Sequence, residues 1–255
     1  MGLGLENVKH IYLEGIANGN AREAVNKCTG HRYTQHSTGV GNGVEGFLAF
    51  FEPFLERNSK RDIKMIRAFE DGPWVFCHAY QSLNDGAAKW VTMDMFFTDD
   101  NGLILEHWDT ITPFVDAIPS GENIIGGVTE VSDQTDSESA KLLVREFTKQ
   151  VLQEGDLDKI DQFVAQDLVQ HSPDIDAGRT GLLAWLASSE SGHYEMLFNL
   201  FGQGNFVVTY GKRHQSGKDV AIFDLYRVDD GLIVEHWDNA EEILAREQWG
   251  NSGKF

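Results

Sequence analysis

The sequence predicts an α+β fold built as two tandem domains, and three observations carry that prediction. GLILEHWDT (residues 102–110) has a near twin in GLIVEHWDN (231–239). YTQHSTGVGNGVEGFLAFF (33–51) aligns with LVQHSPDIDAGRTGLLAWL (168–186), placing His36 on His171 and Gly46 on Gly181. In each half, helical periodicity comes first and strand-like runs separated by turn signals come afterwards. A repeat of more than about 100 residues is too long for a solenoid and reads as a duplicated domain. The expected division is 1–116, a linker at 117–135 containing Gly, Ser and Asp, a second domain at 136–245, and a tail at 246–255.

In the first half LENVKHIYLEGIA sets Leu5, Val8, Tyr12 and Ile16 at helical spacing, AREAVNKC makes a short second helix, and a third begins near Gly43. RDIKMIRAFE, PWVFCHAYQS, AAKWVTMDMFFT and GLILEHWDTI follow as four strand-like runs parted by DG, NDG and DDNG turns. The second half repeats the order: SAKLLVREFTKQVLQ with Leu143, Phe147 and Val151 on one face, then LDKIDQFV, a third helix near Gly178, and strands from HYEMLFNLF onward. Helices followed by an antiparallel meander predict three helices packed on one face of a curved sheet, once per half.

Composition supports two cores and narrows the partners. The chain has 255 residues, 41% of them hydrophobic, which suffices to fill them. Twenty-one Lys and Arg against 40 Asp and Glu give a formal charge of -19, which repels nucleic acid and anionic membrane surfaces. The opening MGLGLENVKHIYLEGIANGN has no basic region followed by an apolar run, and no stretch approaches the roughly 18 apolar residues of a membrane span, so the expectation is a soluble cytoplasmic protein. Cys28 and Cys77 have no CxxC spacing and read as free thiols. No GxGxxG, P-loop or GxSxG pattern is present, which leaves nucleotide and serine-hydrolase chemistry without support.

The chemistry-bearing residues lie in the repeat. On a strand alternate side chains share a face, so His236 and Asp238 point one way and Glu235 and Trp237 the other. If VDDGL (228–232) is a three-residue loop with Gly231 at the bulge, Asp224 falls opposite His236, and Asp224, Tyr226, His236 and Asp238 share one face. Asp94, His107 and Asp109 are the counterparts in the first half. Two carboxylates and an imidazole meeting on the concave side of a sheet form a proton-transfer constellation. The same repeat fits a packing motif, with Trp108 and Trp237 as core anchors and Glu106 and Glu235 satisfying helix N termini. His36 and His171 end a Gln-His run entering a glycine-containing loop, where a turn hydrogen bond is the plainer role. The ligand-contact candidates are His36, His78, Trp90 and Phe96, with His171, Tyr210 and Tyr226 in the second half. Arg227 is expected on the face opposite Asp224, pairing with Glu235 or a neighbouring carboxylate; its counterpart is Phe97. Two histidines and an aspartate also match the composition of a catalytic zinc or facial iron site, but His-x-Asp on a strand parts the two groups by about 7 Å at Cα, and the third ligand would come from a distant loop. No metal and no cofactor are expected.

Three helices followed by a four-strand meander resemble the nuclear transport factor 2-like superfamily, and QHSPDIDAGRTG with VAIFDLYRVDDGLIVEHWDN resembles its SnoaL-like polyketide cyclase branch. The second half keeps the pattern almost intact; the first keeps Gln35-His36 and EHWD but has Phe97 where the arginine is expected. The resemblance implies two tandem cone-shaped α+β barrels on curved antiparallel or mixed sheets, each with an internal pocket, and an intrachain pseudo-dimer, with a homodimer of chains as a further option. It implies acid/base catalysis by Asp109 and Asp238 on a small apolar or aromatic carbonyl-containing ligand, as in aldol cyclases, lyases and isomerases, with no cofactor. The rival implied by the same superfamily is a ligand-binding or assembly protein without turnover. An enzyme needs an apolar, water-excluding cavity over the carboxylates; an assembly module can fill its cone with side chains.

Overall fold

The computed structural model describes residues 2–255 and separates into two compact units, one running to Phe114 and joined by Leu244–Phe255, the other Val115–Ile243. The segment between the sheets thus folds into the second unit, and the chain after the second sheet returns to the first.

In the first unit α1 (Leu3–His10) continues as a π-helical stretch, Ile11–Ala17, followed by α2 (Ala21–Cys28), β1 (Thr29–Gln35), α3 (Gly43–Arg57), β2 (Arg61–Asp71), β3 (Trp74–Leu83), β4 (Ala88–Thr98) and β5 (Ile104–Pro113). The helical spacing of Leu5, Val8, Tyr12 and Ile16 turns them all into the core, where they meet Phe47 and Leu48 of α3 and Phe96 of β4. The sheet order is β1-β5-β4-β3-β2. β2 to β5 form the expected antiparallel meander. β1 adds a fifth strand running parallel to β5, with Gln35 beside His107, so the sheet is mixed.

The second unit repeats this with α4 (Ser137–Phe147), a π-helical stretch Thr148–Gln153, β6 (Val164–Gln170), α5 (Gly178–Leu186), β7 (His193–Gln203), β8 (Phe206–Gln215), β9 (Lys218–Asp229) and β10 (Leu232–Glu242). Its order, β6-β10-β9-β8-β7, matches that of the first sheet strand for strand. Asp136 caps α4 by accepting the Ser139 N–H at 2.9 Å. Where a short second helix was expected, Leu157–Gln162 forms a 3-10 turn. Among the described residues no helix is long and apolar enough to cross a membrane.

Gly46 and Gly181, aligned by the repeat, share a physical cause. A Cβ on Gly46 would lie 2.2 Å from the Gly41 carbonyl carbon, and one on Gly181 2.2 Å from the Asp176 carbonyl oxygen. Each glycine lets the loop after the Gln-His run fold down on the helix that follows it.

The β9–β10 hairpin corrects the expected register. Asp230 and Gly231 both take positive φ, 46° and 76°, forming a two-residue turn in place of the three-residue loop. Leu232 pairs with Asp229, and an irregularity between Ile233 and Glu235 resets the ladder. His236 therefore lies opposite Tyr226, and Asp224 opposite Asp238. The four residues still share a face. The first unit has the same pairing: Asp94 opposite Asp109, Phe96 opposite His107.

Candidate active site

In both units the Gln of the Gln-His run, the His of Glu-His-Trp-Asp and the Asp of the preceding strand form one chain. His107 Nδ1 meets Gln35 Oε1 at 2.9 Å and its Nε2 meets Asp94 Oδ1 at 3.0 Å. His236 repeats this with Gln170 Oε1 at 3.0 Å and Asp224 Oδ1 at 3.1 Å. Gln170 Oε1 also accepts the Ser172 N–H at 2.9 Å, which fixes that atom as the oxygen. His236 Nδ1 must then carry a hydrogen, and the contact between Nε2 and Asp224 needs one more proton, on the ring or on the acid. Each His–Asp pair is thus a proton-holding unit.

The second carboxylate of each pair has a different environment. In the first unit Ser37 Oγ donates to Asp109 Oδ2 at 2.6 Å, and Lys254 Nζ donates to Asp109 Oδ1 at 3.2 Å and to its main-chain carbonyl at 2.8 Å. Burial alone would raise the Asp109 pKa, but Lys254, His107 and Ser37 together hold it below the ordinary carboxylate range. Asp94 goes the other way, raised chiefly by burial and by the neighbouring Asp109 against the pull of His107. Thr92 Oγ1 donates to Asp94 Oδ2 at 2.7 Å and accepts from Tyr12 at 3.3 Å. Burial and Asp94 push the Tyr12 phenol well up, so it stays a donor.

In the second unit, among the described residues, no lysine pairs with Asp238, which accepts from Ser172 Oγ at 2.9 Å. Burial, with a smaller contribution from Asp224, raises its pKa to about 6. A carboxylate raised on folding costs stability above its unfolded pKa, and the cost grows as pH climbs from the ordinary range through about 6. The Asp238 side chain is only partly buried, and solvent screening of its charge holds the cost at pH 7 to about 1–2 kcal/mol. Asp238→Asn is therefore expected to stabilise the chain at pH 7 by that amount, with the gain vanishing near pH 4; urea midpoints across this range measure it.

The two cavities differ in size. Asp94, His107 and Asp109 open onto one of about 60 Å³, walled by Tyr12, Tyr33, Phe47, Phe51 and Phe96. Asp224, His236 and Asp238 face one of about 10 Å³, room for about one water. Of the ligand-contact candidates, Phe96 and Tyr226 line these cavities. Trp90 shares the inner face by strand alternation but does not line the cavity. The remaining candidates sit on the opposite face. His36 stacks on Trp108 at 4.5 Å and donates from Nδ1 to the Gly253 carbonyl, while His171 stacks on Trp237 at 4.7 Å and donates to the Asn123 carbonyl. His78 Nδ1 accepts from Arg67, and Tyr210 packs on Phe223. The glutamates of Glu-His-Trp-Asp belong to that face too. Glu235 binds His171 Nε2 at 2.8 Å and Arg227 Nε at 2.7 Å, the pairing expected for Arg227, and Glu106 binds Arg32 and His36; neither caps a helix.

The spacing of possible metal ligands differs from that expected. Ligating atoms of Asp94, His107 and Asp109, and of Asp224, His236 and Asp238, lie within 4.8 Å of one another, because the third group comes from the adjacent strand and not a distant loop. The donor sets are nonetheless arranged for hydrogen bonding: both nitrogens of each histidine are engaged, and a protein cation, Lys254 or Arg213, already stands beside each carboxylate pair. Tyr12, Thr92, Ser37, Gln35 and Lys254 were absent from the expected site. Of these, Gln35 was the most legible, since it precedes His36 in a run that recurs as Gln170-His171.

Fold and site together define a class: α+β cone domains with a buried carboxylate–imidazole array on the concave face. Residues 144–236, within the second unit, match the SnoaL-like domain family, and the first unit repeats that unit's strand order and polar array. No curated protein matches the sequence. Similar solved structures include a candidate ketosteroid isomerase from Kribbella flavida (17% identity, 44% of this chain and 84% of that one, TM-score 0.39). A candidate SnoaL-like polyketide cyclase from Jannaschia sp. CCS1 is 19% identical over 43% of this chain and 85% of its own, with TM-score 0.37. A nuclear transport factor 2-like protein of unknown function from Burkholderia xenovorans is 19% identical over 44% and 93%, with TM-score 0.38. Each spans less than half of this chain, and likenesses of this strength carry no argument about activity.

Proposed function

We propose that the first unit is a cofactor-independent acid/base catalyst, a lyase, isomerase or aldol cyclase, acting on a small apolar ligand that carries a carbonyl group. The observation that carries this reading is the pair Asp94 and Asp109, which lie opposite each other on the sheet, face one apolar cavity, and have partners that push their proton affinities apart. Asp109, kept ionised by Lys254 and Ser37, takes the proton next to the carbonyl. Asp94, its proton affinity raised by burial and its carboxyl oriented by His107 and Thr92, is the group proposed to donate a hydrogen bond to the enolate oxygen. The phenylalanines exclude water, so both groups act at full strength. In the second unit the cavity of about 10 Å³ has room for about one water, so the proposed turnover is assigned to the first unit.

The test is solvent-deuterium exchange, followed by NMR, into a panel of cyclic ketones and diketones with the purified chain. Exchange above the buffer rate for at least one compound, saturable in that compound, is the expected result. Compounds that bind in the first cavity yet exchange at the buffer rate would leave the non-catalytic binding protein as the correct reading.

A further inference from the structure

The strand position four residues beyond the inner-face partner of Asp94 or Asp224 differs between the units. Asp94 pairs with Cys77 and Asp224 with Thr209, so the equivalent positions are Gln81 in the first unit and Arg213 in the second. Gln81 is a neutral part of the first cavity's wall. Arg213 is only 5% exposed, so its charge is held almost wholly within the protein. Its guanidinium lies over the faces of Trp185 and Tyr194, at 5.0 and 5.6 Å from the ring centroids. Among the described residues its ion-pair contact is with Asp224 Oδ1 at 3.9 Å, beyond hydrogen-bond reach, and that oxygen already serves His236. A buried guanidinium requires hydrogen-bonding partners to offset its desolvation, and aromatic faces supply only part of that. Arg213 also forms part of the wall of a hollow of about 300 Å³ that shares Leu152, Trp185 and Leu186 with the small inner cavity.

We propose that this hollow is a binding site for a small carboxylate with a flat apolar body, the carboxylate taken by the fork of Arg213 and the body held against Leu152, Trp185 and Leu186. Arginine suits this role because its planar donors match a carboxylate two for two, and because the aromatic faces hold the fork in place before the ligand arrives. At about 300 Å³ the hollow is at the lower end of small-molecule sites, which fits a one- or two-ring acid. The other titratable groups around these walls are Asp224, His236 and Asp238 on the inner side and Glu154 and His193 in the hollow. The acidic groups among them repel a dianion such as phosphate more strongly than a monoanion. The site stands independently of catalysis in the first unit.

Calorimetric titration of the full chain with benzoate, phenylacetate and naphthoate, each beside its neutral amide, tests the proposal. At least one acid is expected to bind at one equivalent per chain and at least tenfold tighter than its amide. Arg213→Gln, which installs the first unit's residue, is expected to weaken that binding at least tenfold, and Arg213→Lys to weaken it less. Inorganic phosphate is expected to bind more weakly than the acid. Acid and amide binding equally to the wild-type chain would overturn the proposal without recourse to a variant. So would absence of saturable binding by all three acids, phosphate binding more tightly than any of them, or unchanged acid affinity in a folded Arg213→Gln protein.

Discussion

Replacing Asp109 by Asn is expected to lower carbon-acid exchange in the first cavity by about 100- to 10,000-fold, the usual contribution of a positioned general base. The single variant has a second consequence. Lys254, 4% exposed, would keep the Asp109 main-chain carbonyl but lose the carboxylate that balances its charge, and breaking a buried ion pair costs about 3–5 kcal/mol. The informative protein is therefore Asp109→Asn combined with Lys254→Met, which is expected to recover most of the lost stability and none of the activity. Lys254→Met alone should retain activity but move its pH dependence upward, because the cation that depresses Asp109 is gone. Exchange rates and urea midpoints measured on the three variants separate the chemical role from the structural one. Activity surviving in the double variant would remove Asp109 from the mechanism.

The second large effect is on stability. Trp237→Ala is expected to destabilise the second unit by about 3–5 kcal/mol, as truncation of a buried aromatic does. Trp237 is fully buried, stacks on His171 with 2° between ring planes, and donates from Nε1 to the Gly126 carbonyl at 3.1 Å. Denaturant unfolding monitored by far-UV circular dichroism reads the loss. A change below about 1 kcal/mol would mean that the two faces of Glu-His-Trp-Asp have been assigned the wrong way round.

The parts of this protein visible in its sequence were those governed by local rules. Strand alternation put His236 and Asp238 on one face and Trp237 on the other, and the helical spacing of Leu5, Val8, Tyr12 and Ile16 marked their shared burial. Alternation also explains a miss: with Gln35 facing His107, the next residue, His36, has to point away from the cavity, and the same holds for His171 after Gln170. β1 was not separated from the following loop because Thr29–Gln35 is polar, with His31 and Arg32 exposed at the sheet edge. The hairpin register depended on a two-residue turn followed by an irregularity, a combination that turn residues alone do not specify. Lys254 was hidden for a topological reason. The last residues return to the first unit, while the segment after the first sheet stays with the second, where Asn123 and Gly126 serve His171 and Trp237. No local pattern in GNSGKF announces a lysine destined for a carboxylate 145 positions earlier.

Site-resolved titration of the aspartate carboxyl carbons by NMR tests the central claim most directly, because the proposed chemistry depends on two neighbouring carboxylates having opposite proton affinities. Asp94 is expected to titrate above the ordinary carboxylate range and Asp109 below it, with Asp109 moving upward in Lys254→Met. In terms of linkage, Asp109 then contributes stability above its unfolded pKa that is lost as pH falls through its folded value, while Asp94 costs stability as pH rises through its own. Two carboxyl groups titrating together in the ordinary range, or Asp109 titrating above Asp94, would contradict it.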